Sequence, residues 1–540
     1  MNAIENDGYY ENREFYLEES ADGVNWTAVA VNGQDVNSLG GEAAKFSMSS
    51  VFCWGTASFY STQPFLRLRC ISNETVLNEL VFLDETGAVV TPVNAEAYAA
   101  LFDENVKYPG ESTFRDSTYF DEIYHARTAY EMTQNVYNYE WTHPPLGKFI
   151  ISIGVRIFGM CPFGWRIMGT LFGIAMLPIF YLFTRRLFGK TWISTVTTVL
   201  FAADFMHFAQ TRIATIDVYV TFFIILMYYF MYRYYRMSFN DTPLVKTFVP
   251  LLLCGISMGL GCACKWPGVY AGIGLAVIFF YTIFVRFMEY RYACNDPEGE
   301  SNGISHEMVI KNFLKNVLYT FGFCVLAFVI IPGTIYTLSY IPFNNGTDMG
   351  LIQRMLKNQI DMWEYHSDLD ATHPFSSTWY EWPIMKRPIW YYNKTLANGL
   401  QENISAFGNP AVWWAGIPAF LYMLFRMIAR KDKKATFLSI GYLAQLIPWT
   451  GVTRCTFIYH YFPSVPFVII MVGYSMYCLT YSTENVKTRR TVAISCMVYA
   501  AIAVGLFAMF YPVLSGYPIH VEYALKWLRW FKDSWVLVSG

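Results

Sequence analysis

Two adjacent carboxylates, Asp121 and Glu122, sit in Tyr119-Phe120-Asp121-Glu122-Ile123-Tyr124-His125, just ahead of a series of long apolar segments. Standing alone, such a pair also fits a solvated turn or the N-terminus of a helix. Its surroundings carry more. An aromatic-rich stretch follows (Tyr124, Tyr130, Tyr137, Tyr139, Trp141), then His143-Pro144-Pro145-Leu146-Gly147-Lys148, whose two prolines break any helix and set Lys148 at the edge of the apolar region. Such a surface can hold a polar headgroup beside a lipid tail, so the pair points to chemistry at a bilayer surface. Ionisable residues that interrupt apolar spans are further candidates, because they are costly there, whereas loop charges carry no such presumption.

The elements that must position these groups are membrane spans. A chain of 540 residues that is 54% hydrophobic, 19% aromatic and 15% charged is too apolar for an ordinary soluble enzyme. About ten segments of roughly 17–23 apolar residues are long enough to cross the hydrocarbon: 163–184, 192–209, 216–235, 247–265, 267–287, 317–338, 411–428, 435–452, 462–480 and 491–512. Positive clusters fall at alternate turns: Arg185, Arg186 and Lys190; Arg233, Arg236 and Lys246; Arg286, Arg291, Lys311 and Lys315; Arg426 to Lys434; and Lys487, Arg489 and Arg490. With those on the cytoplasmic side, the acidic pair, residues 1–162, the loop 339–410 and the tail 513–540 face outward. The expected organisation is therefore an N-terminal β-rich unit (1–100), a first external loop with the acidic pair (101–162), transmembrane helices (163–338), an external loop (339–410), further transmembrane helices (411–512) and an external tail (513–540).

Residues 1–100 alternate in short runs such as Glu14-Phe15-Tyr16-Leu17-Glu18 and Phe65-Leu66-Arg67-Leu68-Arg69, separated by Asp-Gly and Asn-Gly turns, the pattern of a small β-sandwich. Residues 1–30 hold no charged n-region followed by an apolar h-region. An external domain needs a translocation signal, so one more hydrophobic helix is expected upstream of Met1. No clustered His/Cys set has zinc spacing, and no metal is expected.

Six motifs in order carry a resemblance: Phe120-Asp121-Glu122; His143-Pro144-Pro145-Leu146-Gly147-Lys148; Trp165-Arg166-Ile167-Met168-Gly169; His373-Pro374-Phe375 through Trp379-Tyr380-Glu381-Trp382-Pro383; Gly408-Asn409-Pro410 through Trp414; and Phe457-Ile458-Tyr459-His460-Tyr461-Phe462-Pro463. From about residue 115 onward the chain resembles the protein O-mannosyltransferases, glycosyltransferases of the GT-C type that use polyprenyl-phosphate-mannose. The N-terminal segment more weakly resembles a discoidin-like module through Ser20-Ala21-Asp22-Gly23-Val24-Asn25-Trp26, whose reading is sugar or polymer binding or a spacer. The family implies a mainly α, polytopic fold of eleven spans, which agrees with ten plus a missing first helix. The loop 339–410 is too short for the large carbohydrate-associated module of the eukaryotic branch, which implies a bacterial source.

The resemblance implies mannose transfer from a lipid phosphate to Ser/Thr hydroxyls of secreted or membrane proteins. Asp121 would be the base that takes the hydroxyl proton, with inversion at the anomeric carbon, and Glu122 would orient the acceptor or Asp121 itself. A hydroxyl is a poor nucleophile until its proton is taken; a retaining route needs a second carboxylate across the sugar. The leaving phosphate calls for cations, for which Arg166, Lys265 and Arg454, with His460, are candidates; snorkelling to headgroups is the alternative for each. His143 and Lys148 border the same surface, and His373, Trp379 and Trp382 could face a sugar ring or acceptor peptide, or anchor at the interface. Arg212 and Asp217 read as an ion pair tying two spans. No cofactor or nucleic acid is expected; the bilayer, and a secretion machinery or a second copy, are the expected partners. The rival readings are a GT-C enzyme of other sugar specificity and a secondary transporter, which would show internal repeats and midplane charges.

Overall fold

The computed structural model describes residues 13–48, 52–70, 77, 79–102, 110–301 and 303–539. Near the N-terminus, β1 (Arg13–Ser20) pairs antiparallel with β2 (Thr27–Ala28), β3 (Lys45–Met48) and β4 (Phe65–Cys70) in a four-stranded sheet. Its period-two alternation turns Leu17 inward against Val29 and Val31. A separate two-stranded ribbon joins Phe82–Leu83 to Val89–Val90.

From Glu122 onward the chain is mainly helical, and its helices are numbered from there. Two precede the first long span: α1 (Glu122–Gln134) and α2 (Leu146–Phe158). The bundle then runs α3 (Pro162–Phe188), α4 (Thr191–Ala202), α5 (Phe205–Gln210), α6 (Asp217–Tyr235), α7 (Leu244–Cys264), α8 (Pro267–Asn295) and α9 (His306–Ser339), the last with one π-helical turn at Leu326–Ile330. After α10 (Leu351–Asp368) and a hairpin of β5 (Ile389–Thr395) and β6 (Gln401–Ala406) come α11 (Pro410–Arg430), α12 (Lys433–Leu446), α13 (Val465–Thr480) and α14 (Val486–Ser515). Among the described residues seven helical stretches are long and apolar enough to cross a membrane, and α4 is a shorter apolar helix. The chain is a multi-pass membrane protein. Predicted spans 216–235 and 435–452 also coincide with helices, α6 and α12, whereas 192–209 is broken in two. Asp204 breaks it by capping α5 through the amide of His207 while accepting the indole N–H of Trp413 at 2.8 Å.

The helix ends follow local rules. Helix α3 begins with Pro162 and stops at Gly189, whose φ of +71° only glycine adopts readily, with Arg185 and Arg186 in its last turn, where positive charge suits the helix dipole. Asp432 and Asn485 cap α12 and α14. Spans approach closely where a side chain is missing: a Cβ on Gly255 would collide with the carbonyl oxygen of Ala327, so glycine sets the spacing of α7 and α9. The predicted external tail is not loose, since Trp535 is buried and donates its indole N–H to the Met385 carbonyl at 2.8 Å. The antiparallel run of spans brings the starts of α3, α6, α8, α11 and α13 and the ends of α7, α9, α12 and α14 to one end of the bundle, where α1, α10 and the hairpin gather.

Candidate active site

Asp121 precedes the first residue of α1, and the residue before it, Phe120, has φ +50°. A non-glycine side chain in that region is strained and must be held by its surroundings. Two rings hold Phe120: Tyr391 of β5 at 4.3 Å between centroids and Tyr459 at 6.0 Å. The kink directs Asp121 away from α1, whose amides its side chain does not cap. Its carboxylate accepts no hydrogen bond and forms no ion pair among the described residues. Part of its surface remains open, yet burial pushes its pKa up to about 7, with Lys265 opposing the rise and Asp217 and Glu140 adding to it.

Glu122 is its opposite in every respect. Fully buried, it accepts Nε and Nη2 of Arg166 at 2.8 and 2.7 Å, the amide of Ala214 at 3.0 Å and the amide of Tyr119 at 3.3 Å. Arg166 spends its other contacts on the carbonyls of Phe114 (2.6 Å) and Ser117 (2.9 Å). The expectation that Arg166 meets a phosphate is therefore corrected: its fork is occupied by a bidentate carboxylate and two carbonyls. Glu122 and Arg166 instead lock the Phe114–Glu122 segment onto the start of α3, which fixes where Asp121 stands.

The His-Pro-Pro motif is organised around a residue the motif does not contain, Glu140. Lys148 Nζ donates to the Glu140 carboxylate, to the Glu140 carbonyl at 2.6 Å and to the His143 carbonyl at 2.9 Å. His143 Nδ1 lies 3.0 Å from the same carboxylate, the Thr142 hydroxyl bonds it, and His125 Nδ1 stands 4.0 Å away. Burial opposes the charge on Glu140, but Lys148 and then His143 outweigh it and hold the carboxyl well below its ordinary range. Burial pushes His125 down to about 3 and lowers His143, so both imidazoles are neutral near pH 7. Lys148 is fully enclosed. Its ammonium closes the turn between Glu140 and His143, and all three of its donors are taken.

The remaining cations divide. Lys265, directly after α7, bonds both oxygens of Asp217, the first residue of α6, at 2.8 and 3.0 Å, and sits 5.7 Å from the Tyr459 ring centre. This corrects the Arg212–Asp217 pairing, since Arg212 turns to the carbonyls of Leu514 and Ser515, both at 3.5 Å. Arg454, half-buried, makes a single 3.4 Å bond to the adjacent Cys455 carbonyl, and its charge is felt at His366 and Tyr365. It is the least committed candidate cation near the site.

The aromatic candidates also divide. Trp382 is completely buried, donates its indole N–H to Ser377 at 3.1 Å and packs on Trp449, His460 and Tyr461. No ring face is left for a sugar. His460 is buried in the same cluster, with Nδ1 accepting the Phe457 amide at 3.0 Å, and so acts on the packing of that turn. Trp379 is half-buried against the exposed Tyr380, and His373 is exposed with its Nδ1 accepting the Phe375 amide. Missing from the sequence candidates were Glu140, Tyr391, Tyr459 and the role of Asp217 as partner of Lys265. Tyr459 lay within the motif Phe457 to Pro463, and Tyr391 had a local signal in the inward alternation of Ile389 and Tyr391 along β5.

Residues 111–343 match the family model described as dolichyl-phosphate-mannose-protein mannosyltransferase, and residues 351–535 match that of the C-terminal four-span region of protein O-mannosyltransferase. The chain is 26% identical over 490 residues to a Mycobacterium tuberculosis protein described as polyprenol-phosphate-mannose–protein mannosyltransferase, covering 79% of this chain and 87% of that one. A Corynebacterium glutamicum protein of the same description is 26% identical over 432 residues, with 73% and 81% covered. The Saccharomyces cerevisiae protein O-mannosyltransferase Pmt1–Pmt2 complex bound to the sugar donor superposes with a TM-score of 0.63 at 13% identity, covering 78% of this chain and 89% of that one, which is a likeness of fold.

Proposed function

The chain belongs to the protein O-mannosyltransferase family, and from that premise we propose that it moves mannose from a polyprenyl-phosphate carrier to Ser or Thr hydroxyls of proteins on the outer side of the membrane. One observation carries the assignment of roles: of the two adjacent carboxylates, Asp121 alone is unpaired, and burial holds its pKa at about 7, where a base works best near neutral pH. Asp121 takes the acceptor hydroxyl proton as that oxygen bonds to the anomeric carbon. The bond from that carbon to the phosphate oxygen breaks on the opposite face, and its electron pair leaves with the lipid phosphate, so the configuration inverts. Lys265 and Arg454 supply positive charge toward the leaving phosphate, and the reaction so written requires no metal. Glu122 is a positioning residue that acts through Arg166.

The charges cluster at helix ends on one side of the bundle, with Asp217 opening α6 and Lys265 following α7. That placement favours surface chemistry over the midplane site of a transporter. The test uses the protein in nanodiscs with polyprenyl-phosphate-mannose and a Ser/Thr peptide. Mannosylated peptide is expected, with an α linkage, and its absence under conditions where a family relative is active overturns the proposal.

A further inference from the structure

The hairpin strand β5 brings a second unsatisfied polar group to Asp121. Tyr391 is 6% exposed, and its hydroxyl has no hydrogen-bond partner among the described residues. Buried hydroxyls are nearly always paired. The Tyr391 ring packs on Phe120 at 4.3 Å with a 31° tilt and meets Tyr459 at 6.4 Å, and Tyr459 in turn lies against Lys265, which holds Asp217. Phe120, Tyr391 and Tyr459 thus form one aromatic cluster, within electrostatic reach of both the Asp121 carboxylate and the Asp217–Lys265 pair. Burial, with Tyr459, Asp217 and Asp121 beyond it, drives the phenol upward, so it stays protonated and is a hydrogen-bond donor.

We propose that Tyr391 is a specificity-determining residue whose hydroxyl donates to a hydroxyl oxygen of the transferred sugar, near Asp121 and the Asp217–Lys265 pair. The inference rests on the mannosyl-transfer reading and assigns a contact within it. A hexose presents hydroxyl acceptors all round its ring, whereas the phosphate is already faced by cations, so a neutral donor in this cluster matches the sugar.

The neighbouring Tyr392 provides a matched control. Its hydroxyl lies at the Phe114 backbone, and its ring faces the other way, against Phe114 and Tyr119. In nanodiscs, Tyr391→Phe is expected to keep or raise the melting temperature, to lose roughly tenfold in kcat/KM, as removal of one buried hydrogen bond in a site built for it does, and to bind polyprenyl-phosphate-mannose more weakly while binding polyprenyl phosphate as the wild type does. Tyr392→Phe is expected to leave kcat/KM within about twofold. Donors with single deoxy-mannose sugars complete the cycle: one of them should be penalised in the wild type but not further in Tyr391→Phe. Unchanged turnover and binding in Tyr391→Phe overturn the inference, and so does equal weakening for polyprenyl phosphate without sugar, which moves the contact to the phosphate. Should the wild type itself transfer no mannose, the functional reading fails, and the two binding measurements still decide whether Tyr391 recognises a sugar.

Discussion

Replacing Asp121 with Asn should abolish transfer and stabilise the fold, with a pH dependence that identifies the carboxyl. The rise from 3.8 to about 7 corresponds to about 4 kcal/mol, at ~1.36 kcal/mol for each tenfold change in proton affinity. The sign follows from which state ionises first. Below pH 3.8 both folded and unfolded chains keep the group neutral; between 3.8 and about 7 only the unfolded chain ionises it, so folded stability falls steadily; above about 7 the loss is complete. Asparagine mimics the neutral acid and never ionises. Its advantage over aspartate should therefore be about 1.6 kcal/mol at pH 5 and about 4 kcal/mol at pH 8. Equilibrium unfolding of both proteins in nanodiscs at the two pH values measures this, and transfer to a Ser/Thr peptide measures the other half, with an expected loss of about 10²–10⁴-fold. Superimposable pH dependences would refute the elevated carboxyl, and retention of more than about a tenth of the wild-type rate would refute the base.

Four further outcomes follow from the same geometry. Transfer by the wild type should rise with pH through an inflection near 7, and in Lys265→Met the inflection should move to higher pH, because the ammonium is what opposes the rise; an unmoved kcat profile contradicts this. Glu122→Gln leaves the buried Arg166 without its counter-charge and should lower stability by about 3–5 kcal/mol, read by denaturant unfolding; wild-type stability would contradict the clamp. In Lys148→Met the Glu140 charge loses its main support, so the stability that Glu140 contributes above its unfolded pKa, and that the wild type surrenders only as pH falls through its depressed folded value, should be absent at neutral pH, again about 3–5 kcal/mol. Trp382→Ala should cost about 3–5 kcal/mol as a core cavity with the donor KM of the surviving enzyme unchanged; a raised KM at wild-type stability would return Trp382 to the sugar site.

Much of the architecture was legible in the residues. Long apolar runs and charge clusters at alternate turns mark spans because hydrocarbon imposes the same demand on every crossing. The errors fall where a local signal is ambiguous: the apolar run 192–209 conceals a break, since Asp204 caps a new helix only because Trp413 and Asn409, some 200 positions later, satisfy its carboxylate. The site was legible in its ingredients and not in its pairings. Arg166, Lys148 and Lys265 are alike as isolated basic residues near a membrane edge, yet the first two are consumed by Glu122 and Glu140, while the third is anchored on Asp217 beside the Tyr459 ring.

By itself the sequence determined that this chain crosses a membrane many times, that one end of the bundle gathers the acidic pair, and which family's ordered motifs it carries, because hydrophobic length, charge bias and motif order are properties of local composition. Which of two adjacent carboxylates is free was decided only by tertiary structure. The pKa of a carboxyl depends on what surrounds it within a few ångströms, and those neighbours, Arg166 and the Ala214 amide on Glu122, and burial beside Phe120 and Tyr391 for Asp121, come from segments that meet only when the helices pack.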